Sequence, residues 1–554
     1  MRSRTVSISF LFVALAALVP AMTGCNLDGW ELDSYEATAG DDQPDDGGDD
    51  GSGGGGGGST TTQFKGTWVT SYSDDLATSN TSAGQNQYAA RMVLNQSGSE
   101  ITGTGRAFRV FRSGATASDT VDFNISGTVS GDEAILVWTA KGSRRFDGAP
   151  GWRVRVASSR LVGFYIEQTS GGQLIRSGHA YWYKASTASI NDAWAGAFGD
   201  EFAVEGESMR DRTGVVTLST TAESTLQGAG SYVEIRPADS SLTLEYNVVR
   251  GAIDGSQMGF TFGEADLGAN EIDWFGFFSG SAICAAYGQF DTTDRIARFG
   301  HTTWFRATPA GPSAITHNWV SAFGDARTAE GVDATDYITI LSLTAQDGGG
   351  VTGTAKVLDQ AEDDPQYKNY TVRNGTILGS QAHIELEGSD GTFFWDFRVA
   401  GSTMPGSYQF LDGSGNFVAG GSAEFRFLTS ASTVGSWVAA YVDTLGVTTQ
   451  PDSQFTVVSI SNQANDGAII GTGALRIAGE ANRRLFNVIG KADNGEITWI
   501  WRGTELFGDI VWNLRQSGGV LHGTYSNFNS AGNLETQGYA VFIRASSTAE
   551  STTE

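Results

Sequence analysis

The sequence predicts an all-β chain: four tandem eight-stranded antiparallel up-and-down β-barrels after a disordered tether. Three observations carry this expectation. One set of aromatic and glycine landmarks recurs four times in fixed register. Glycine (74 residues) and aromatics (11%) are abundant while charged residues are sparse at 18%, which suits short strands and tight turns. Short turn signals also recur at the spacing of successive strands.

The landmarks come first. Each copy opens with Trp-x-x-[Ala/Ser]-[Phe/Tyr]-x-Asp, at Trp68/Tyr72/Asp74, Trp194/Phe198/Asp200, Trp319/Phe323/Asp325 and Trp437/Tyr441/Asp443. About 34 residues after each Trp stands a glycine-bearing strand start: Gly103, Gly228, Gly353 and Gly471. The second half keeps register without a gap. Trp152, Tyr165 and Gly178 lie thirteen apart in turn, as do Trp274, Tyr287 and Gly300; Trp395, Tyr408 and Gly421; and Trp512, Tyr525 and Gly538. Trp182, Trp304, Phe425 or Phe542 follows four places later. Length varies just before Trp152 and its equivalents, which marks a variable loop.

Within the first copy, alternation predicts eight strands starting near Trp68, Gln87, Ile101, Val121, Ala134, Trp152, Leu161 and Ile175. The spacers Ser97-Gly98-Ser99, Ser130-Gly131-Asp132, Ser158-Ser159-Arg160 and Ser170-Gly171-Gly172 are short turn chemistry. Short turns make successive strands antiparallel neighbours, and closing the meander removes both exposed edges. The Gly-x-Trp openings (Gly66-Thr67-Trp68 and Gly435-Ser436-Trp437), the strand count and a copy length of about 120 residues resemble the avidin and lipocalin (calycin) type of barrel. Copies two and three carry Asp192 and His317 in place of that glycine, and the resemblance implies no ligand residues.

The N-terminus reads as an export signal. Arg2 and Arg4 precede an apolar stretch from Ile8 to Val19, too short for a membrane span. Ala21-Met22-Thr23-Gly24-Cys25 resembles the bacterial lipobox, with Met22 where leucine is usual. The resemblance implies cleavage before Cys25 and lipidation of that cysteine, a stable membrane anchor; ordinary secretion with cleavage near Ala21 is the alternative. The aspartate run Asp41 to Asp50 and the glycines to Gly58 cannot bury a core. The expected organisation is a signal peptide over 1–24, lipidated cysteine and acidic, Gly-rich tether over 25–63, barrels over 64–186, 187–310, 311–431 and 432–546, and a disordered tail over 547–554.

A net charge of −27 argues against a nucleic-acid partner. With Cys25 lipidated, Cys284 has no intrachain disulfide partner and reads as a small buried hydrophobe. The opening Trp and Tyr are expected to plug one barrel end, with the aspartate capping a following turn; a polar handle at the barrel mouth is the sharper alternative. The hairpins diverge on their outer face. Copy one alternates Trp152-Arg153-Val154-Arg155 and copy four reads Trp512-Asn513-Leu514-Arg515. Copy two reads Trp274-Phe275-Gly276-Phe277, with Cys284 and Ala286 on the same outer side. Phe275 and Phe277 are therefore candidate interface or ligand residues, expected to be covered by a neighbouring copy, a partner or a ligand.

His179 and His301 occupy equivalent places, filled by Ser422 and Tyr539 in copies three and four. No metal spacing or nucleophile elbow is visible, and Asp412-Gly413-Ser414-Gly415-Asn416 reads as a turn. No catalytic residue and no cofactor is expected. The sequence points to a lipid-anchored protein of the bacterial envelope, outer membrane expected, facing periplasm or cell surface. Its expected role is multivalent binding or structural, toward a protein, a glycan or a small apolar ligand. A carrier holding small apolar ligands inside each barrel and an envelope hydrolase are the alternatives.

Overall fold

The computed structural model describes residues 62–545 except for short connecting stretches, among them 78–84, 111–117, 264–270 and 447–452. Cys25, the expected signal and the expected tether up to residue 61 lie outside the described residues. In the first copy the eight long strands run Gly66–Ser73, Gln87–Ser97, Glu100–Val110, Ser118–Ser130, Glu133–Ala140, Ala149–Ala157, Arg160–Gln168 and Leu174–Lys184. Each pairs antiparallel with its sequence neighbour, and the first closes on the last through Trp68↔Lys184 and Val69↔Tyr183. The other copies close through Trp194↔Arg306, Trp319↔Phe427 and Trp437↔Arg544. The fold is all-β: four closed eight-stranded barrels in tandem.

One element was not foreseen. After the opening motif, the chain of the first three copies returns as a two-residue strand (Leu76–Ala77, Phe202–Ala203, Arg327–Thr328) on the last strand of its own barrel. In the fourth copy one strand, Gly435–Gly446, does both jobs across a register shift between Asp443 and Leu445.

The landmarks build the barrel interiors. The thirteen-residue spacing is a cross-strand row: Trp152 faces Tyr165, which faces Gly178, and the other copies repeat this. The Trp and Tyr rings of the row lie 4.9, 4.8, 4.7 and 4.6 Å apart in copies one to four. Edge-on to each hairpin Trp sits the opening aromatic, at 5.2, 5.1, 5.4 and 5.4 Å. The last-strand aromatic completes the cluster, as in Trp152–Trp182 at 5.2 Å and Trp512–Phe542 at 4.9 Å. Edge-to-face packing suits ring quadrupoles, and each buried ring contributes about 1.5–3 kcal/mol by burial alone. Every opening Trp also donates its indole N–H to the carbonyl four residues back: Phe64, Ile190, Ile315 and Thr433, at 2.9, 2.9, 3.0 and 2.8 Å.

The four barrels form a closed ring. Strands one to three of the first barrel pack against strands six to eight of the second. The second meets the third in the same way, and strands one and two of the third meet strands six to eight of the fourth. Strands one and two of the fourth barrel then pack on strands six to eight of the first. Each contact is head-to-tail, and four of them close the circle. One polar contact recurs at every seam, from the residue opening the second long strand. Gln87 Oε1 meets His301 Nδ1 at 2.5 Å, Arg327 Nε donates to Asp211 at 2.8 Å, Thr444 donates to Asp336, and Ser453 donates to Asp75 at 2.8 Å.

Candidate functional site

The opening aspartate and the landmark tyrosine meet inside each barrel. The Tyr165 hydroxyl donates to Asp74, Tyr287 to Asp200 at 2.8 Å, Tyr408 to Asp325 at 2.6 Å, and Tyr525 to Asp443. In three copies the aspartate also accepts a backbone N–H across the following loop, from Asn86, Arg210 or Thr335. The aspartate thus caps the loop, as expected, and also anchors the barrel end. Its charge is balanced differently from copy to copy. Arg176 lies 3.0 Å from Asp74, and Arg212 lies 2.8 Å from Asp200. Among the described residues, Asp325 instead has only hydroxyl and backbone donors, and burial pushes its carboxyl up to about 6. These groups are consumed by structure.

A different place gathers polar groups from all four barrels, most of them paired and one, His522, with no hydrogen-bond partner. Where the four barrels meet lies a cavity of about 360 Å³, lined by residues from all of them. Its lining follows from strand alternation: alternate residues of each last strand point out of their own barrel, toward the ring centre. One tier carries His301, Ser422 and Tyr539; the next Tyr181, Thr303, Glu424 and Val541; the third Tyr183, Phe305 and Arg426. His522 and Arg160 join from the seventh strands, as register partners of Val541 and Tyr183. The first and third tiers stand four residues apart along a strand, roughly 13 Å.

The two ends differ in charge. At the first tier Glu201 sits 3.8 Å from His301. Its side chain is open to the cavity yet hemmed in by protein, and burial, with Asp75, Asp211 and Asp200 nearby, pushes its carboxyl up to about 7. His301 is driven down to about 4 by burial, with His179 adding to the shift. His179, at the equivalent place in the first barrel, is bonded to Asp75 at 2.8 Å. Burial opposes its protonation, but Asp75 outweighs burial and raises its pKa.

The third tier is basic. Arg160 lies over the Tyr183 ring at 4.8 Å and makes no side-chain hydrogen bond or ion pair among the described residues. Arg426 gives a guanidinium nitrogen to Glu424. His522 is only 2% exposed, and neither ring nitrogen has a hydrogen-bond partner. Burial, then Arg426 and Arg160, drives its pKa down to about 3, so the imidazole is neutral.

The residues singled out in the sequence fall elsewhere. Trp68, Trp194, Trp319 and Trp437, with the hairpin tryptophans and landmark tyrosines, are barrel core. Phe277 is fully buried and Phe275 half-buried; their rings lie 5.3 and 5.8 Å from Phe108 of the first barrel. Cys284 and Ala286 join the same seam, where burial pushes the Cys284 thiol up to about 12. Polar outer faces of two other hairpins reach into seams as well. Arg515 lies over Tyr367 of the third barrel at 4.8 Å, and Thr213 bonds Ser407 across the second seam at 2.7 Å. An apolar outer face therefore marked only one of the polar-to-apolar range of seams. Asp412 accepts the N–H groups of Ser414 and Asn416, so that segment is a turn. Among the described residues, no cluster of three or more His, Cys, Asp or Glu could hold a metal ion.

The cavity residues Arg160, Glu201, Arg426 and His522 were not read from the sequence. Their only sequence signal is divergence at equivalent places. The His522 position is Val162, Cys284 and Pro405 in the other copies.

No protein-family model matches this sequence, and no curated protein matches it. Among the solved structures that are similar at low level, three illustrate the range. Kievitone hydratase from Nectria haematococca is 9% identical, covering 43% of this chain and 92% of that one, with a TM-score of 0.20. The isotype 1 transferrin binding protein B from serogroup B Neisseria meningitidis is 10% identical, covering 71% and 84%, with a TM-score of 0.19. A protein of unknown function from Nostoc punctiforme is 12% identical, covering 43% and 96%, with a TM-score of 0.16. No function is transferred from any of the three.

Proposed function

We propose that this chain is a membrane-anchored, extracytoplasmic envelope lipoprotein that binds a small polar molecule where its four barrels meet. The observation that carries the reading is the cavity and its lining. At barrel-building positions the copies repeat Trp, Tyr, Asp and Gly. At the equivalent positions facing the cavity they present His301, Ser422 and Tyr539, then Thr303, Glu424 and Val541. His522 beside them is buried with both ring nitrogens unpartnered, and leaving a buried polar group unpaired costs about 1–3 kcal/mol. A set of polar groups converging on a concave space is the usual form of a small-molecule site.

This reading has one asymmetric site per chain. Four separate sites inside the barrels are disfavoured, because aromatic clusters occupy those interiors. The multivalent reading is weakened as well, because the equivalent outer faces are spent on one another in the ring. Anchoring rests on the lipobox-like Ala21 to Cys25 segment, with the acidic, glycine-rich stretch as its tether.

Two measurements test the proposal. Cells expressing the chain and fed labelled palmitate should give a labelled, membrane-bound product, and Cys25→Ser should lose both label and membrane association. For the site, a set of small polar metabolites is screened by thermal shift against the native chain and Thr303→Trp, which fills the cavity. Metabolites that stabilise the native chain should not stabilise the variant. Equal stabilisation of both would remove the cavity from the function.

A further inference from the structure

Resting on the cavity reading above, the ligand's charge can be assigned from what lines one end. We propose that Arg160, Arg426 and His522 receive the anionic head of a small organic anion, a carboxylate or phosphate monoester, whose body extends along the cavity toward Glu201.

The donors converge from three barrels. Arg160 comes from the first barrel, Arg426 from the third and His522 from the fourth, and all line the same space. Arg160 is held by stacking on Tyr183 at 4.8 Å, which orients the guanidinium without using its N–H donors. A guanidinium with a free fork fits carboxylate or phosphate oxygens in bidentate fashion. Arg426 is anchored by Glu424, which leaves the pair with no net charge to neutralise Arg160. His522 is the second, independent sign of a ligand. A neutral imidazole 2% exposed, with both nitrogens unpartnered, has one N–H to donate and one nitrogen to accept. An oxyanion takes the donor, and a ligand hydroxyl or a singly protonated phosphate monoester also meets the acceptor.

The rest of the space constrains the ligand's body. A cavity of about 360 Å³ suits a molecule at the small end of the ligand range. Phe305 shares the third tier, so the atoms next to the head can be apolar or aromatic. Both arginines of the lining stand at the head end, and the far end, where Glu201 faces the space, offers a second anionic group no cationic partner. The overall charge of −27 gives no long-range attraction for anions, so selection must come from these local donors.

The test uses the full chain and the side-chain NMR signals of its 5 histidines, assigned by substitution. Benzoate, phenyl phosphate, benzamide and benzylammonium are titrated in turn at neutral pH. Benzoate or phenyl phosphate should shift His522 saturably, and benzamide should not. His317, which packs on Phe427 at 4.2 Å outside the cavity lining, should stay unmoved. R160Q should weaken anion binding by roughly tenfold or more, while R160K should retain part of it through its point charge. An unchanged melting curve for R160K shows that the ring is intact. Anion shifts that survive R160Q undiminished overturn the assignment. Binding of benzamide or benzylammonium without any response to the anions also overturns it, yet leaves the cavity reading standing. Silence to all four probes overturns it too, and the cavity reading then depends on the Thr303→Trp screen alone.

Discussion

At the scale of single residues, the aspartate–tyrosine bond is the feature that each copy solves in its own way. Asp74 and Asp200 have arginine partners, whereas Asp325 relies on Tyr408, Tyr337 and a backbone N–H. Burial raises the Asp325 carboxyl from 3.8 to about 6 in the folded chain. A raised folded value means the group's contribution to stability is full below about 4, falls as pH rises to about 6, and is flat above. The Tyr408 hydroxyl favours the ionised form, so Tyr408→Phe raises that carboxyl further. The variant should lose about 1–3 kcal/mol, with the larger loss above the window than below it. Urea unfolding on both sides of the window checks this, and a pH-independent loss contradicts it. Asp336 behaves similarly at the seam between barrels three and four, pushed up to about 7 by burial despite the Thr444 bond. Asp336→Asn should flatten the decline in stability between about pH 4 and pH 7 relative to the native chain. The landmark residues were all legible in the sequence. Their pairing was not, because Tyr165 and Asp74 lie 91 positions apart and only barrel closure brings them together.

At the scale of elements, the Trp–Tyr–Gly row explains why Gly178, Gly300 and Gly538 are glycines. A Cβ on Gly178 would stand 2.5 Å from Tyr165 Cε1 and 2.6 Å from the Ser73 carbonyl oxygen. The ring fills the space over the glycine on the neighbouring strand, so Gly178→Ala should cost about 1–3 kcal/mol through overpacking. Thermal melts of Gly178→Ala beside Gly171→Ala, which meets only Thr169 at 3.7 Å, provide the comparison. Equal effects at the two sites would contradict the row's role. Strand starts were legible because alternation and turn chemistry are local. The two-residue strands such as Leu76–Ala77 were not, since nothing within two residues carries a period and their partner is the last strand of the barrel.

At the scale of the molecule, four seams close one ring, and the seam between barrels four and one joins the two ends of the repeat array. Phe164 lies in its apolar centre with Val438, Ala440 and Phe455. Phe164→Asp places a charge there and forfeits about 1.5–3 kcal/mol of burial. The ring should open at that seam, raising the radius of gyration seen by small-angle X-ray scattering while the far-ultraviolet circular dichroism of the barrels persists. An unchanged scattering profile with the fold intact would argue that the ring does not depend on this seam. From the sequence, contact between copies was expected where an outer face is apolar. Phe275 and Phe277 satisfied that criterion, but seams built on Thr213–Ser407 and Thr524–Gln360 hydrogen bonds are polar and carry no such mark.

What the sequence determined by itself is whatever depends on short range and on repetition. Strand alternation, turn residues and a fourfold set of landmarks specify each barrel, because every barrel closes on residues of its own copy. What only the tertiary structure decided is how the barrels meet. The ring and its central cavity arise from side chains that point away from their own cores, at positions where the copies differ. Arg160, Arg426 and His522 come from three separate copies, and no spacing along one strand can encode a meeting that four closed surfaces must first assemble.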